Sequence, residues 1–280
     1  MKQKTRITLF TIALLLITFS LIPKQSAQAK TADKAKTIHV DLNGDGKKET
    51  LFFKPTASKG DTEADFVKLS IFINGKRKIT FKEDFFSYEY HIITLKNGMK
   101  FLYLHPQGLN SDGFHRLYQY KKGELKRVYN FDNAPLGRWI DSIKANGNEL
   151  RVIMRDNGSG IGLFHFRAYY TYKNGAFHLK SNTLKVTKYY IMNPNGQSQK
   201  TGIKELTVSK KFKLYSDKTA KNQIGTVPVG TKLKLTKVYM TGTYKNGYST
   251  YYVTGGGYHG WYSSKDVEWE MLFENVSGVA

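Results

Sequence analysis

Asp41-Leu42-Asn43-Gly44-Asp45-Gly46-Lys47-Lys48-Glu49 places side-chain oxygens at loop positions 1, 3, 5 and 9, with glycine at position 6. Hard divalent cations such as Ca²⁺ take oxygen ligands in this spacing, and the glycine permits the tight turn that wraps the chain around the ion. An EF-hand would need a bidentate acid at position 12, where Phe52 stands. The flanks, His39-Val40 before and Leu51-Phe52-Phe53 after, are strand-like and set the loop between two β-strands. Left unpaired, Asp41, Asp45 and Glu49 would repel one another in a partly desolvated loop, and an ion relieves that repulsion. A loop that supplies a full ligand set leaves little room for substrate, so the expected role of the ion is structural.

Enzymatic chemistry finds little to work with elsewhere. The chain has no cysteine, which excludes disulfide frameworks, zinc knuckles, iron–sulfur sites and thiol nucleophiles together. Ser159 in Asn157-Gly158-Ser159-Gly160 lacks the first glycine of a nucleophile elbow, and no strand-to-helix pattern surrounds it. The 7 histidines show no H-E-x-x-H or similar spacing. His105, Asp112 and His115 are the one set that suggests a metal-dependent hydrolase, and that is the rival to a binding role.

Charge points to a polyanionic partner. Lys and Arg number 44 against 22 Asp and Glu in 280 residues, a formal charge of +22. Lys2, Lys4 and Arg6, an apolar run from Ile7 to Ile22, and Ala27-Gln28-Ala29 have the three-part layout of a secretory leader over residues 1–29. Cleavage after Ala29 would remove four basic residues (Lys2, Lys4, Arg6, Lys24) and no acid, so +22 becomes +18 and the charge belongs to the remaining chain. A basic, cysteine-free, secreted chain of this kind fits the cell wall of a Gram-positive bacterium. Nucleic acid is the other polyanion, but the lysines are spread along hairpin edges instead of forming one run.

The elements that must position these residues read as antiparallel β-structure, and helical periodicity is nearly absent. Asn-Gly occurs at 74–75, 97–98, 146–147, 174–175 and 246–247, each between apolar or aromatic runs. Type I′ turns need positive φ at both central residues, which Asn and Gly adopt most cheaply, so each pair predicts a hairpin. Asn193-Pro194-Asn195-Gly196-Gln197-Ser198-Gln199 interrupts the strand signals and reads as a linker over 187–204.

Two resemblances sharpen the picture. The segment Asp41 to Glu49 resembles the strand-connecting calcium loops of FG-GAP and VCBS-type repeats. That resemblance implies side-chain ligation by Asp41, Asn43, Asp45 and Glu49 and a backbone carbonyl from Lys47. Beyond the loop, residues 30–186 depart from that family, and a sandwich-like or open all-β domain is expected there. Lys213-Leu214-Tyr215, Gly225 to Leu233, and Gly260-Trp261-Tyr262 through Val267 resemble, in that order, a bacterial SH3-like (SH3b) domain over 205–270, leaving 271–280 as a tail. The family implies recognition of cell-wall peptide or polymer through an aromatic groove, for which Tyr215, Tyr239, Tyr252, Trp261 and Tyr262 are the candidates. Alternation along the last strand puts Trp261 and Tyr262 on opposite faces, with Trp261 expected inward and Tyr262 facing the groove. The expectation is a secreted, non-enzymatic, cell-wall or cell-surface binding protein with a structural Ca²⁺ and no membrane span after leader removal.

Overall fold

A computed structural model describes residues 30–32, 34–58, 65–108, 113–133, 139–193, 195–242, 248–267 and 271–277. The expected leader and the Asn246-Gly247 turn lie outside the described residues. Within them the architecture is all-β and antiparallel, with 3₁₀ turns at Phe131–Asn133 and Ser264–Asp266, and no helix is long and apolar enough to cross a membrane.

Among the described residues there are three sheets. The first contains β2 (Lys36–Val40), β3 (Glu49–Ala57), β4 (Phe66–Ile73) and β5 (Lys76–Phe81) in sequential order. The second contains β1 (Lys30–Ala32), β6 (Ser87–Thr94), β7 (Lys100–Gln107), β8 (Arg116–Lys121) and β9 (Glu124–Asn130). Side chains alternate across this second sheet. Tyr88, Tyr90, Leu102, Leu104 and Tyr118 pack on the first sheet, while Ile93, Phe101, Tyr103 and Leu117 face the third. Because both its faces are covered, β7 is buried from Phe101 to Pro106. A strand covered twice must carry apolar residues continuously, which is why Phe101-Leu102-Tyr103-Leu104 shows no alternation.

The third sheet begins with β10 (Trp139–Asn146), β11 (Glu149–Gly158) and β12 (Gly162–Lys173), with β13 (Ala176–Leu179) paired to β12. It continues through β14 (Thr183–Met192), flanked by β15 (Ser198–Thr201), into β19 (Lys232–Thr241), which also pairs β16 (Leu206–Thr207). Beyond β19 the order is β20 (Tyr248–Gly255), β21 (Tyr258–Ser263), β17 (Phe212–Tyr215) and β18 (Gln223–Val227).

Two boundaries expected from sequence are corrected here. The stretch 187–204 is not a linker: it holds the end of β14 and all of β15, and the polar Asn193 to Gln197 is the turn between them. The Asn193 side chain accepts the backbone N–H of both Asn195 and Gln197, so the turn-forming composition closes a hairpin. Nor are residues 271–277 a loose tail, because Leu272, Phe273 and Val276 are buried. Phe273 bridges Val208, Val276 bridges Ile191, and the Leu163 amide donates to Ser277 O at 2.7 Å. β14 pairs directly with β19, so one hydrophobic core runs from Ile93 to Val276 across the expected boundary.

The turn chemistry is visible in the backbone. Asn74-Gly75 and Asn174-Gly175 both carry two positive φ angles, as type I′ requires. At 146–147 only Gly147 is positive, and the register Asn146↔Glu149 makes Gly147 the first central residue, the arrangement of type II′. Between β6 and β7, Gly98 alone is positive at 97–98.

Candidate functional site

The acidic loop lies between β2 and β3, whose ends pair at Val40↔Glu49. Its carboxylates turn inward because backbone amides hold them. Gly44 N and Gly46 N donate to the two Asp41 oxygens at 2.6 and 3.1 Å, Lys47 N donates to Asp45 Oδ1 at 2.8 Å, and Leu42 N donates to buried Glu49 Oε2 at 2.7 Å. The Asn43 amide donates to Asp45 Oδ2 and Glu49 Oε1, which draws the three side chains together. Lys100 reaches in from β7, its Nζ 2.8 Å from Asp41 Oδ2, and that hydrogen bond holds the Asp41 carboxyl below the usual carboxylate range. The donor set is all oxygen and suits a hard cation. The repulsion expected from sequence is nevertheless met in part by Lys100 and the Asn43 amide. Among the described residues no group of three or more His, Asp or Glu is arranged to hold a metal.

The C-terminal strands collect four of the five aromatic candidates on one face. Register pairs Lys237 with Tyr252, Tyr252 with Trp261 and Trp261 with Tyr215, while Tyr239 pairs with Thr250 on the same side. This face is outward. Lysine ammonium groups cap its rings: Lys218 lies 4.8 Å from the Tyr239 centroid, Lys237 lies 5.1 Å from Tyr252, and Lys265 lies 3.9 Å from Tyr248. Trp261 meets the edge of Tyr252 at 5.1 Å, and Tyr215 donates to Asp266 Oδ2 at 2.7 Å, a bond that holds the tyrosine hydroxyl up at about 12.

Tyr262 is the exception, and its expected orientation is corrected. It is 1 % exposed, stacked on Tyr251 at 4.9 Å and packed against Phe212 at 5.1 Å. The alternation of Trp261 and Tyr262 is present with its phase reversed. Trp261 is on the outer side yet only 8 % exposed, so both faces of β21 are covered and residue size alone could not assign the inner one.

The histidines form a site that spacing only hinted at. His105 and His115 stack with centroids 3.7 Å apart and planes 16° from parallel. Nitrogens of parallel rings point side by side, so this pair does not converge on one ion; Asp112 lies outside the described residues. His105 Nδ1 donates to Phe114 O at 3.1 Å, and Tyr103 shares a 2.7 Å hydrogen bond with His115 Nδ1. His91 lies 4.8 Å from the Tyr103 ring and is buried, and neither of its ring nitrogens has a hydrogen-bond partner among the described residues. Burial, with Lys144 nearby, pushes His91 down to about 4, and burial likewise pushes His105 to about 4. Glu89, opposite His105 in the register, is raised by burial and accepts from Gln107.

A fourth cluster was not anticipated. His165, 2 % exposed, lies between Asp141 Oδ2 at 2.7 Å and the Tyr190 hydroxyl at 3.1 Å, with Arg155 and Lys200 also facing Asp141. Its members come from five strands, and only the register brings them together.

No protein-family model matches the chain, and no curated protein matches it. Among solved structures the chain is similar to one described as a Xanthomonas type IV secretion system related protein. That match has 10% sequence identity and a TM-score of 0.32, and it covers 62% of this chain and 99% of that chain.

Proposed function

We propose that this protein is secreted and acts by binding an anionic cell-wall polymer, without catalysing a reaction, and that its C-terminal strands form an SH3-like targeting module. The observation that carries the proposal is the outer face of β19 to β21, where lysines sit over tyrosine rings at Tyr239, Tyr248 and Tyr252. A ring beneath an ammonium group offers flat apolar contact to a sugar or polyol while the cation meets a phosphate. The strand order favours the SH3-like reading. The entry strand β17 pairs both β18 and β21, Gly230 turns at φ +82° into Lys232-Leu233-Lys234, and Gly260-Trp261 lies in the strand against β17. We propose further that Asp41, Asn43, Asp45, Glu49 and the Lys47 carbonyl hold a structural Ca²⁺.

Pelleting of the protein with purified Gram-positive walls tests the binding role. Tyr252→Ala is expected to lower wall binding by an amount typical of an aromatic anchor, about 2 kcal/mol, with an unchanged melting temperature. Tyr262→Ala is expected to cost about 3 to 5 kcal/mol of stability. Wild-type protein that stays in the supernatant, or Tyr252→Ala that pellets like wild type, would remove this reading.

A further inference from the structure

The strand register lines up one row of residues across the third sheet. Arg167 on β12 pairs with Lys185 on β14, Lys185 pairs with Lys237 on β19, and Lys237 pairs with Tyr252 on β20. Arg151, Arg167, Lys185 and Lys237 all occupy positions that alternate with buried residues, so their side chains leave the same face. Directly paired positions on neighbouring strands are separated by roughly 5 Å, which puts the backbone positions of the three basic residues within about 10 Å.

Like charges directly opposite one another are destabilising, and sheets usually intersperse acids among them. Here that does not happen. Among the described residues no carboxylate pairs with Arg167, Lys185 or Lys237, and Arg167 Nε is buried without a hydrogen-bond partner. The acids on this face are already engaged, Asp141 with His165 and Arg155, and Glu149 with Lys180 at 2.6 Å. The row also crosses the junction between β14 and β19, so it exists only when the two halves of the chain are joined.

We infer that Arg167, Lys185 and Lys237, continued by the Tyr252 ring, form the binding track for a phosphodiester-linked polymer of polyols or sugars. The inference rests on the wall-polymer reading above and moves the centre of the site from the C-terminal strands to the junction. Successive phosphates supply the negative charges that the three cations lack, and Tyr252, half-buried under Lys237, offers a ring to the unit between them. Nucleic acid shares the phosphodiester chemistry, but it gains much of its affinity by stacking bases on open aromatic rings. The next rings along the row, Trp261 and Tyr215, are 8 % and 7 % exposed and give bases no such platform.

The test uses the chain lacking the leader, with poly(glycerol phosphate) and a short single-stranded DNA as probes and purified walls in parallel. Lys185→Gln combined with Lys237→Gln is expected to weaken poly(glycerol phosphate) binding at least tenfold. The slope of log K against log salt should become shallower by about 1.4, or roughly 0.7 for each lost charge. Its melting temperature should equal or exceed that of wild type, because a like-charge pair has been removed. The double arginine variant, Lys185→Arg with Lys237→Arg, should restore binding. If wild type binds walls and the double glutamine variant binds poly(glycerol phosphate) with the same affinity and salt slope, the track is wrong while the wall-polymer reading stands. Wild type that binds neither walls nor polymer overturns both. DNA that displaces the polymer more readily than the reverse overturns the assignment of the polymer class.

Discussion

Acid should loosen this protein through its buried histidines. His91 and His105 are 6 % exposed, and each is pushed to about 4 from an ordinary value of 6.5. Their unfolded forms therefore hold a proton more tightly than their folded forms. Stability is full above about pH 6.5 and is lost as the pH falls from there toward 4. Between pH 7 and pH 5, at 1.36 kcal/mol per pKa unit, each histidine costs about 1.8 kcal/mol, close to 4 together. Asp156 works against them. Burial raises its carboxyl to about 6 from 3.8, so protonation on acidification returns no more than about 1.3 kcal/mol over the same interval. Glu89, also raised by burial, acts in the same direction as Asp156. The net expectation is a loss of about 2 kcal/mol, read by urea unfolding at the two pH values. Replacement by His91→Leu should remove roughly half of the histidine contribution. It should not destabilise the protein at pH 7, because neither imidazole nitrogen gives up a hydrogen bond. A wild-type stability that is flat from pH 7 to pH 5, or a His91→Leu variant with the wild-type pH dependence, would refute the assignment of the loss to these residues.

Added Ca²⁺ should raise the melting temperature if it fills the acidic loop, by about 2.7 kcal/mol at a hundredfold excess over Kd, and Asp45→Ala should abolish the gain. Identical melting in EDTA and in millimolar Ca²⁺ would overturn the Ca²⁺ reading of the loop. Leu272→Ala should cost about 2 to 5 kcal/mol in thermal or urea unfolding, since its side chain is buried against Gly160 and its amide donates to Gly160 O at 2.8 Å. A loss below 1 kcal/mol would mean that residues 271–277 are dispensable to the core.

Local chemistry was the legible part of the fold. Asn-Gly pairs reveal hairpins because the turn demands positive φ from residues a few positions apart. The loop from Asp41 to Glu49 is equally local, and it joins two paired strands as its flanks imply. What sequence concealed depends on pairing between distant strands. The polar run Asn193 to Gln197 looks the same whether it closes a hairpin or tethers a separate domain, and only the pairing of Thr183 to Lys185 with β19 decides between them. The clustering of His91, His105 and His115 was not legible, because it depends on the pairing of β6 to β8 and on the sheets that cover them. The row Arg167, Lys185, Lys237 is visible in no window of sequence, since its members are 18 and 52 residues apart and meet only through register. Trp261 and Tyr262 show the limit of alternation, which fixes that two neighbours point apart and leaves open which of them points in.

Residues 271–277 also bear on the order in which contacts form. Leu272, Phe273, Val276 and Ser277 engage Gly160, Val208, Ile191 and Leu163, so one edge of the large core is completed by residues distant in the chain from those they meet. Contacts spanning more than a hundred residues are slow to form. The third sheet is therefore expected to gain this edge later than its local hairpins.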